Sequence, residues 1–195
     1  MAVDRCADDP ALPYPLGCRA ALAKVATDAG PDVAIAEADT RDVTALAAAV
    51  AEAERRWGGL DAATAVAGVI AGGVPAWEVP PSQEQAVLDI DLGGVLNLAR
   101  VAVPALLRQP EPRHGRFIAV ASAAATRGLP KLAAYCAAKA GVAGFVRALA
   151  TELRGTGVTA NAVSPGSTAT AILDESARLY GLPSAESLPD WPGWG

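Results

Sequence analysis

The chain has 195 residues, 52% of them hydrophobic and 19% charged, with a net charge of −5. That balance suits one compact soluble domain with its own core and excludes a disordered chain. The acidic charge leaves no basic footprint for nucleic acid. No uninterrupted apolar run reaches the roughly 18 residues of a membrane span, and no basic segment followed by an apolar stretch opens the chain as a leader.

Taken in order, residues 1–4 look like the tail of a strand and residues 33–38 like a short strand. Residues 43–57 have helical periodicity, with Asp42 as the expected N-cap and Gly58-Gly59 as the stop. Residues 60–67 are apolar and short, a buried strand. Residues 82–107 make a long helix with Ser82 as its expected cap and Pro104 forcing a kink or break. A strand over 117–121, a helix over 131–154, a strand over 158–163 and a helix after Thr168 complete the alternation. Strands and helices in this order predict an α/β fold with a doubly wound parallel sheet (Rossmann-like) covered on both faces. Residues 189–195 hold two Trp, two Pro and two Gly without periodicity. The expected organisation is a partial Rossmann-like domain over 1–182 and a disordered or non-native tail over 183–195.

Cys6, Cys18 and Cys136 are odd in number and fit no zinc spacing, which favours free thiols in a reducing cytoplasm. His114, the single histidine, sits among Pro, Arg and Gly as a loop residue, and alone makes a poor metal site.

Chemistry concentrates in the second half. Tyr135 and Lys139 are four apart in a predicted helix, so both side chains share one face. A tyrosine ordinarily titrates near pH 10, and a neighbouring cation favours the phenolate, making a general acid/base usable near neutral pH. Ser122 ends the predicted strand 117–121, at the kind of strand C-terminus where open α/β sheets bind ligands. Its hydroxyl is placed to polarise a carbonyl, or simply to cap a turn. Asn161-Ala162-Val163-Ser164-Pro165-Gly166 puts a tight turn at another strand end, where Ser167, Thr168 and Thr170 offer hydrogen bonds to an amide or phosphate.

Ser122, then Tyr135-Cys136-Ala137-Ala138-Lys139, then 161–166 resemble the ordered active-site motifs of the short-chain dehydrogenase/reductase family, over about residues 2–182. The resemblance implies NAD-dependent hydride transfer between nicotinamide and a small-molecule alcohol or carbonyl substrate. It implies that Ser122 orients the substrate oxygen, that Tyr135 exchanges a proton with it, and that Lys139 lowers the Tyr135 pKa and holds the nicotinamide ribose. Pro165, Gly166, Ser167, Thr168 and Thr170 would contact the nicotinamide amide. Asp4 resembles the acidic residue that takes the adenosine ribose hydroxyls and prefers NAD over NADP. Asp39 and Thr40 fit the adenine-contacting position. Ala65-Val66-Ala67-Gly68 takes the slot of the family's Asn-Asn-Ala-Gly, so Ala67 and Gly68 would lie against the cofactor.

Two departures stand out. Asp91 occupies the place of a catalytic asparagine, and an ionised carboxylate cannot donate the amide proton. The glycine-rich strand–turn–helix that would bind the pyrophosphate has no counterpart, nor does the last strand. The chain is therefore expected to be a fragment of the fold. Residues 3–16, 69–73 and 177–182 resemble the mycofactocin-coupled subfamily, whose inserted loop would cover a tightly held NAD and whose electrons pass to a peptide-derived carrier. A complete version is expected to form a homo-oligomer through the helices near 82–107 and 131–154. Two alternatives stand beside the enzyme: a truncated, non-catalytic remnant acting at most as a binding or dimerisation partner, and a nucleotide-binding regulator, which leaves the Ser122–Tyr135–Lys139 arrangement unexplained.

Overall fold

The computed structural model describes residues 1–188. Five parallel strands alternate with helices: β1 (Ala2–Asp4), α1 (Arg19–Ala29), β2 (Ile35–Glu37), α2 (Val43–Trp57), β3 (Ala62–Ala65), α3 (Pro81–Val87), α4 (Gly94–Arg108), β4 (Arg116–Val120), α5 (Ala133–Glu152), β5 (Thr159–Val163) and α6 (Ala171–Leu179). The architecture is α/β and Rossmann-like. Of the tail expected over 183–195, residues 189–195 lie outside the described residues, and Ala185–Ser187 form one 3₁₀ turn.

Local chemistry explains most boundaries. The Asp42 carboxylate accepts from the backbone N–H groups of Thr44 and Ala45 at 2.8 and 3.0 Å, satisfying two orphan donors at the start of α2. Gly58, in the left-handed region, ends that helix. Helix α3 begins at Pro81 after Pro80, and Ser82 does not cap it. A proline ring presets φ for the first turn, and its missing N–H would have found no partner there anyway. Pro104 does not break α4, because Ala102, Ala105 and Leu106 around it are fully buried and tertiary packing holds the turn. Helix α5 starts at Ala133 rather than Lys131, whose φ of 63° is incompatible with the first helical turn.

The strands form two sheets, β1–β2 and β3–β4–β5. Ala2 pairs with Ile35 in the first, while Ala62 pairs with Arg116 and Arg116 with Thr159 in the second. Phe117, Ala119 and Ala121 point into a core with Val95, Ala99 and Leu106 of α4 and Val142, Val146 and Leu149 of α5. Coverage on both faces, expected from the sequence, is only partial: Ile118 and Val120 on the opposite face of β4 stay half-buried, and Thr159, Asn161 and Val163 of β5 are exposed. Between β1 and β3, which pair with no further strand among the described residues, lies a cavity of about 720 Å³ floored by Leu46, Ala49 and Val50 of α2.

From Pro81 to Arg108 the chain is continuously helical over 28 residues. Its most apolar stretch reaches a mean hydropathy of 1.5, so by length and composition it could cross a membrane. Asp89, Asp91, Asn97 and Arg100 interrupt this helix, so it holds no unbroken apolar run of that length. Within the described fold the segment packs in the core, against α2 and α5.

Gly94 marks a close approach. A Cβ there would sit 2.3 Å from Thr40 Oγ1, and Asn97 Nδ2 one turn on donates to the Thr40 carbonyl at 3.1 Å. Gly94→Ala is expected to push the Thr40 loop off α4 and lower stability by about 1–3 kcal/mol, measured by urea unfolding. An unchanged midpoint would show that the loop yields without loss.

Candidate active site

Between α3 and α4 the helix widens into a π turn over Leu88–Gly93, a local insertion that recurs at functional sites. It carries Asp91 into the interior, where the residue is 0% exposed. Asp91 Oδ1 accepts from the Val69 backbone N–H at 2.8 Å. Oδ2 accepts no hydrogen bond; its ionic neighbour is Lys139 Nζ at 3.3 Å. Burial pushes the Asp91 carboxyl up to about 6, against the opposing pull of the Lys139 charge and the Val69 N–H.

Tyr135 and Lys139 lie one turn apart on α5, and both are buried. The Lys139 ammonium lies over the Tyr135 ring, 5.6 Å from its centroid. It also donates to the Val120 carbonyl at 3.2 Å, at the end of β4. The net shift of Tyr135 is upward in this arrangement. Burial raises the phenol above its ordinary range; a hydrogen bond shared with Ser122 pulls it down, while Asp91 and Cys136 raise it further. The Asp91 carboxylate opposes the field that the ammonium would otherwise exert on the phenol.

Ser122 leaves β4 in extended conformation and accepts from the Ala124 N–H at 3.1 Å, so it caps a turn as well as meeting Tyr135. The ends of β4 and β5 are tied together. Ala121 N–H donates to the Val163 carbonyl at 2.8 Å and Ala123 N–H to the Pro165 carbonyl at 2.9 Å. This makes the Pro165-Gly166 turn a neighbour of Ser122. Gly166, Ser167, Thr168 and Thr170 are exposed beyond it. The Thr168 hydroxyl donates to the Gly166 carbonyl at 3.3 Å and the Thr170 hydroxyl to the Thr168 carbonyl at 3.2 Å, folding both back on their own turn.

A second group lines the cavity between the sheets: Asp4, Asp39, Thr40, Ala67 and Gly68. The Asp4 carboxylate accepts from the Cys6 N–H at 2.7 Å. Arg41 and Arg5 grip Asp39, and the Arg41 guanidinium holds its carboxyl below the usual carboxylate range. At Gly68 the cavity reaches the ion pair, since a Cβ there would stand 3.2 Å from Lys139 Nζ and 3.5 Å from Asp91 Oδ2. Gly68, having no side chain, thus leaves room beside Lys139 that suits a ribose, while Asp4 and Asp39 line the same cavity as hydrogen-bond acceptors. Gly17, Gly68 and Gly94 line the cavity singly, and among the described residues no glycine-rich turn does so.

Two residues of the 5–16 loop escaped the sequence reading. Asp9 is 4% exposed and pairs with Arg5 and Arg41 at 2.8 and 2.9 Å. The Tyr14 hydroxyl accepts from the Ile70 N–H at 2.8 Å. Neither sits in a periodic segment, and a polar run such as Asp8-Asp9-Pro10 looks solvated until Arg41, 32 residues on, is seen to close over Asp9 together with the nearby Arg5.

The family model described as short chain dehydrogenase matches residues 17–179. The 2-dehydro-3-deoxy-L-rhamnonate dehydrogenase (NAD(+)) of Sphingomonas sp. (strain SKA58) is 40% identical over 137 residues, 70% of this chain and 54% of that protein. The (−)-trans-carveol dehydrogenase of Rhodococcus erythropolis is 36% identical over 155 residues, 78% and 55% of the two chains. The chain thus spans about half the length of these curated relatives. A carveol dehydrogenase from Mycobacterium avium, solved in complex with NAD, superposes with a TM-score of 0.84 at 32% identity, covering 91% of this chain and 65% of that one.

Proposed function

The chain belongs to the short-chain dehydrogenase family, and from that premise we propose that it is an NAD-dependent oxidoreductase acting on an alcohol or carbonyl. The observation that carries this reading is the convergence of Ser122, Tyr135 and Lys139 at the end of β4, with Lys139 standing behind Gly68 in the cavity wall.

In this reading Ser122 holds the substrate oxygen by a hydrogen bond. Tyr135 gives its phenolic proton to that oxygen in reduction and takes it back in oxidation. Lys139 binds the nicotinamide ribose. Gly166, Ser167, Thr168 and Thr170, held next to Ser122 by Pro165, meet the amide, and Asp4 takes the adenosine ribose hydroxyls. NAD, when bound, supplies the carbon that accepts or delivers hydride.

The 5–16 loop supports the finer assignment to the mycofactocin-coupled subfamily. Leu12 is buried in the same cluster as Tyr135, and Tyr14 is bonded to Ile70, so the loop is seated against the site. An external peptide-derived electron carrier, a homo-oligomer and a cytoplasmic setting belong to this proposal.

A second reading is favoured by the cavity between β1 and β3, which presents single glycines where a pyrophosphate needs converging N–H groups. It makes the chain a remnant that binds or dimerises without turnover. Isothermal titration with NAD separates the two. Saturable heat that weakens in Gly68→Val supports the enzyme; no heat at millimolar NAD supports the remnant.

A further inference from the structure

Asp91 and Lys139 form an ion pair with side-chain exposures of 0% and 4%, which is unusual because two charges withdrawn from water are each expensive unless fully compensated. The compensation here is incomplete on the acid side. Oδ1 has one N–H donor from Val69, while Oδ2 has only the ammonium, 3.3 Å away. The base has a second partner in the Val120 carbonyl. The pair adjoins the Tyr135 ring, over which the ammonium lies. A π turn, rather than a regular helical one, carries the acid into this place.

We infer that Asp91 is a positioning residue which engages the Lys139 ammonium and thereby controls proton loss from Tyr135. This rests on the proposed role of Tyr135 as acid/base. A carboxylate beside the ammonium cancels much of the field that would favour a phenolate, and its own charge opposes one directly. With Asp91 ionised, Tyr135 keeps its proton. With Asp91 neutral, the ammonium acts on the phenol alone. The other groups around this centre do not compensate. Cys136 on α5 opposes the phenolate. From the 5–16 loop, Tyr14 faces Asp91 as a neutral phenol bonded to Ile70. Behind it Glu175 and Arg178 of α6 pair with each other at 2.7 Å. Asp89, the other acid of the π turn, is bonded to Gln85 at 2.7 Å on the exposed side. Besides the ammonium, Ser122 acts in favour of the phenolate.

The test needs neither cofactor nor turnover, so it can fail independently of the assigned activity. Phenolate absorbance is titrated in the wild-type chain and in Asp91→Asn, each with its Tyr135→Phe counterpart subtracted to remove Tyr14 and Tyr180. The Tyr135 midpoint is expected to fall by about one pH unit or more in Asp91→Asn. A midpoint that stays or rises overturns the inference. Should Asp91→Asn not fold, the wild type still decides. By carbon-13 NMR, the Asp91 carboxyl and the Lys139 ε-carbon should respond together in one transition near the carboxyl midpoint. A Lys139 signal that ignores protonation of Asp91 overturns the inference equally.

Discussion

Tyr135→Phe is expected to reduce NAD-dependent turnover by about 10²- to 10⁴-fold, the usual contribution of a positioned proton donor. The substitution removes one hydroxyl and leaves the ring, which is 8% exposed and packed with Ile70, Leu132 and Ala138. The fold should therefore survive, and the Lys139 ammonium keeps its ring, its Val120 carbonyl and its Asp91 partner. The loss should fall on kcat, with cofactor affinity within about threefold of wild type because no cofactor contact proposed for this chain depends on proton transfer. Steady-state kinetics with parallel NAD titration measures both. Turnover within a few-fold of wild type would remove Tyr135 from the chemistry and with it the proposed reaction.

Lys139→Met should be the most destabilising single change at the site. Methionine fills a similar volume, so packing changes little, but Asp91 is left buried with no cation. Breaking one side of a buried pair typically removes about 3–5 kcal/mol. The pH dependence has a definite sign. Asp91 is raised in the fold from its ordinary 3.8 to about 6. A raised carboxyl contributes stability that is fully present below its unfolded value and lost as pH rises through its folded value. Removing Lys139 takes away the main influence that lowers this carboxyl, so the folded value climbs further and the loss extends to higher pH. The deficit of Lys139→Met relative to wild type should thus be largest above neutral pH and should shrink toward pH 4. Denaturant melts at several pH values measure it. A deficit that grows on acidification would mean that Asp91 is not the charge left uncompensated.

Gly94→Ala, Asp91→Asn and these two variants probe different contacts. Gly94→Ala strains the loop at Thr40 with no charge change. Asp91→Asn alters charge with nearly unchanged volume. A common loss of structure in all four would point to general fragility of the domain; distinct signatures would point to the separate contacts described.

Much of this protein was legible in one dimension because local rules operate locally. The bounds of α2, its Asp42 cap and its Gly58 stop follow from helical periodicity and from groups no more than four residues apart. The Tyr135–Lys139 spacing fixes a shared helix face wherever that helix lies, and Ser122 after an apolar run is at a strand end in any parallel sheet. The order of strands and helices sufficed for the fold class. Tertiary structure decided the rest. The division into β1–β2 and β3–β4–β5 depends on which edges meet. The helix start at Pro81 and the unbroken turn at Pro104 depend on packing that outweighs local preference. Above all, the sequence alone placed a cation beside Tyr135 but could not show that Asp91, from a distant π turn, reaches the same cation. Electrostatic sums run over neighbours in space, so the direction of the Tyr135 shift became readable only once all the charges around it had positions.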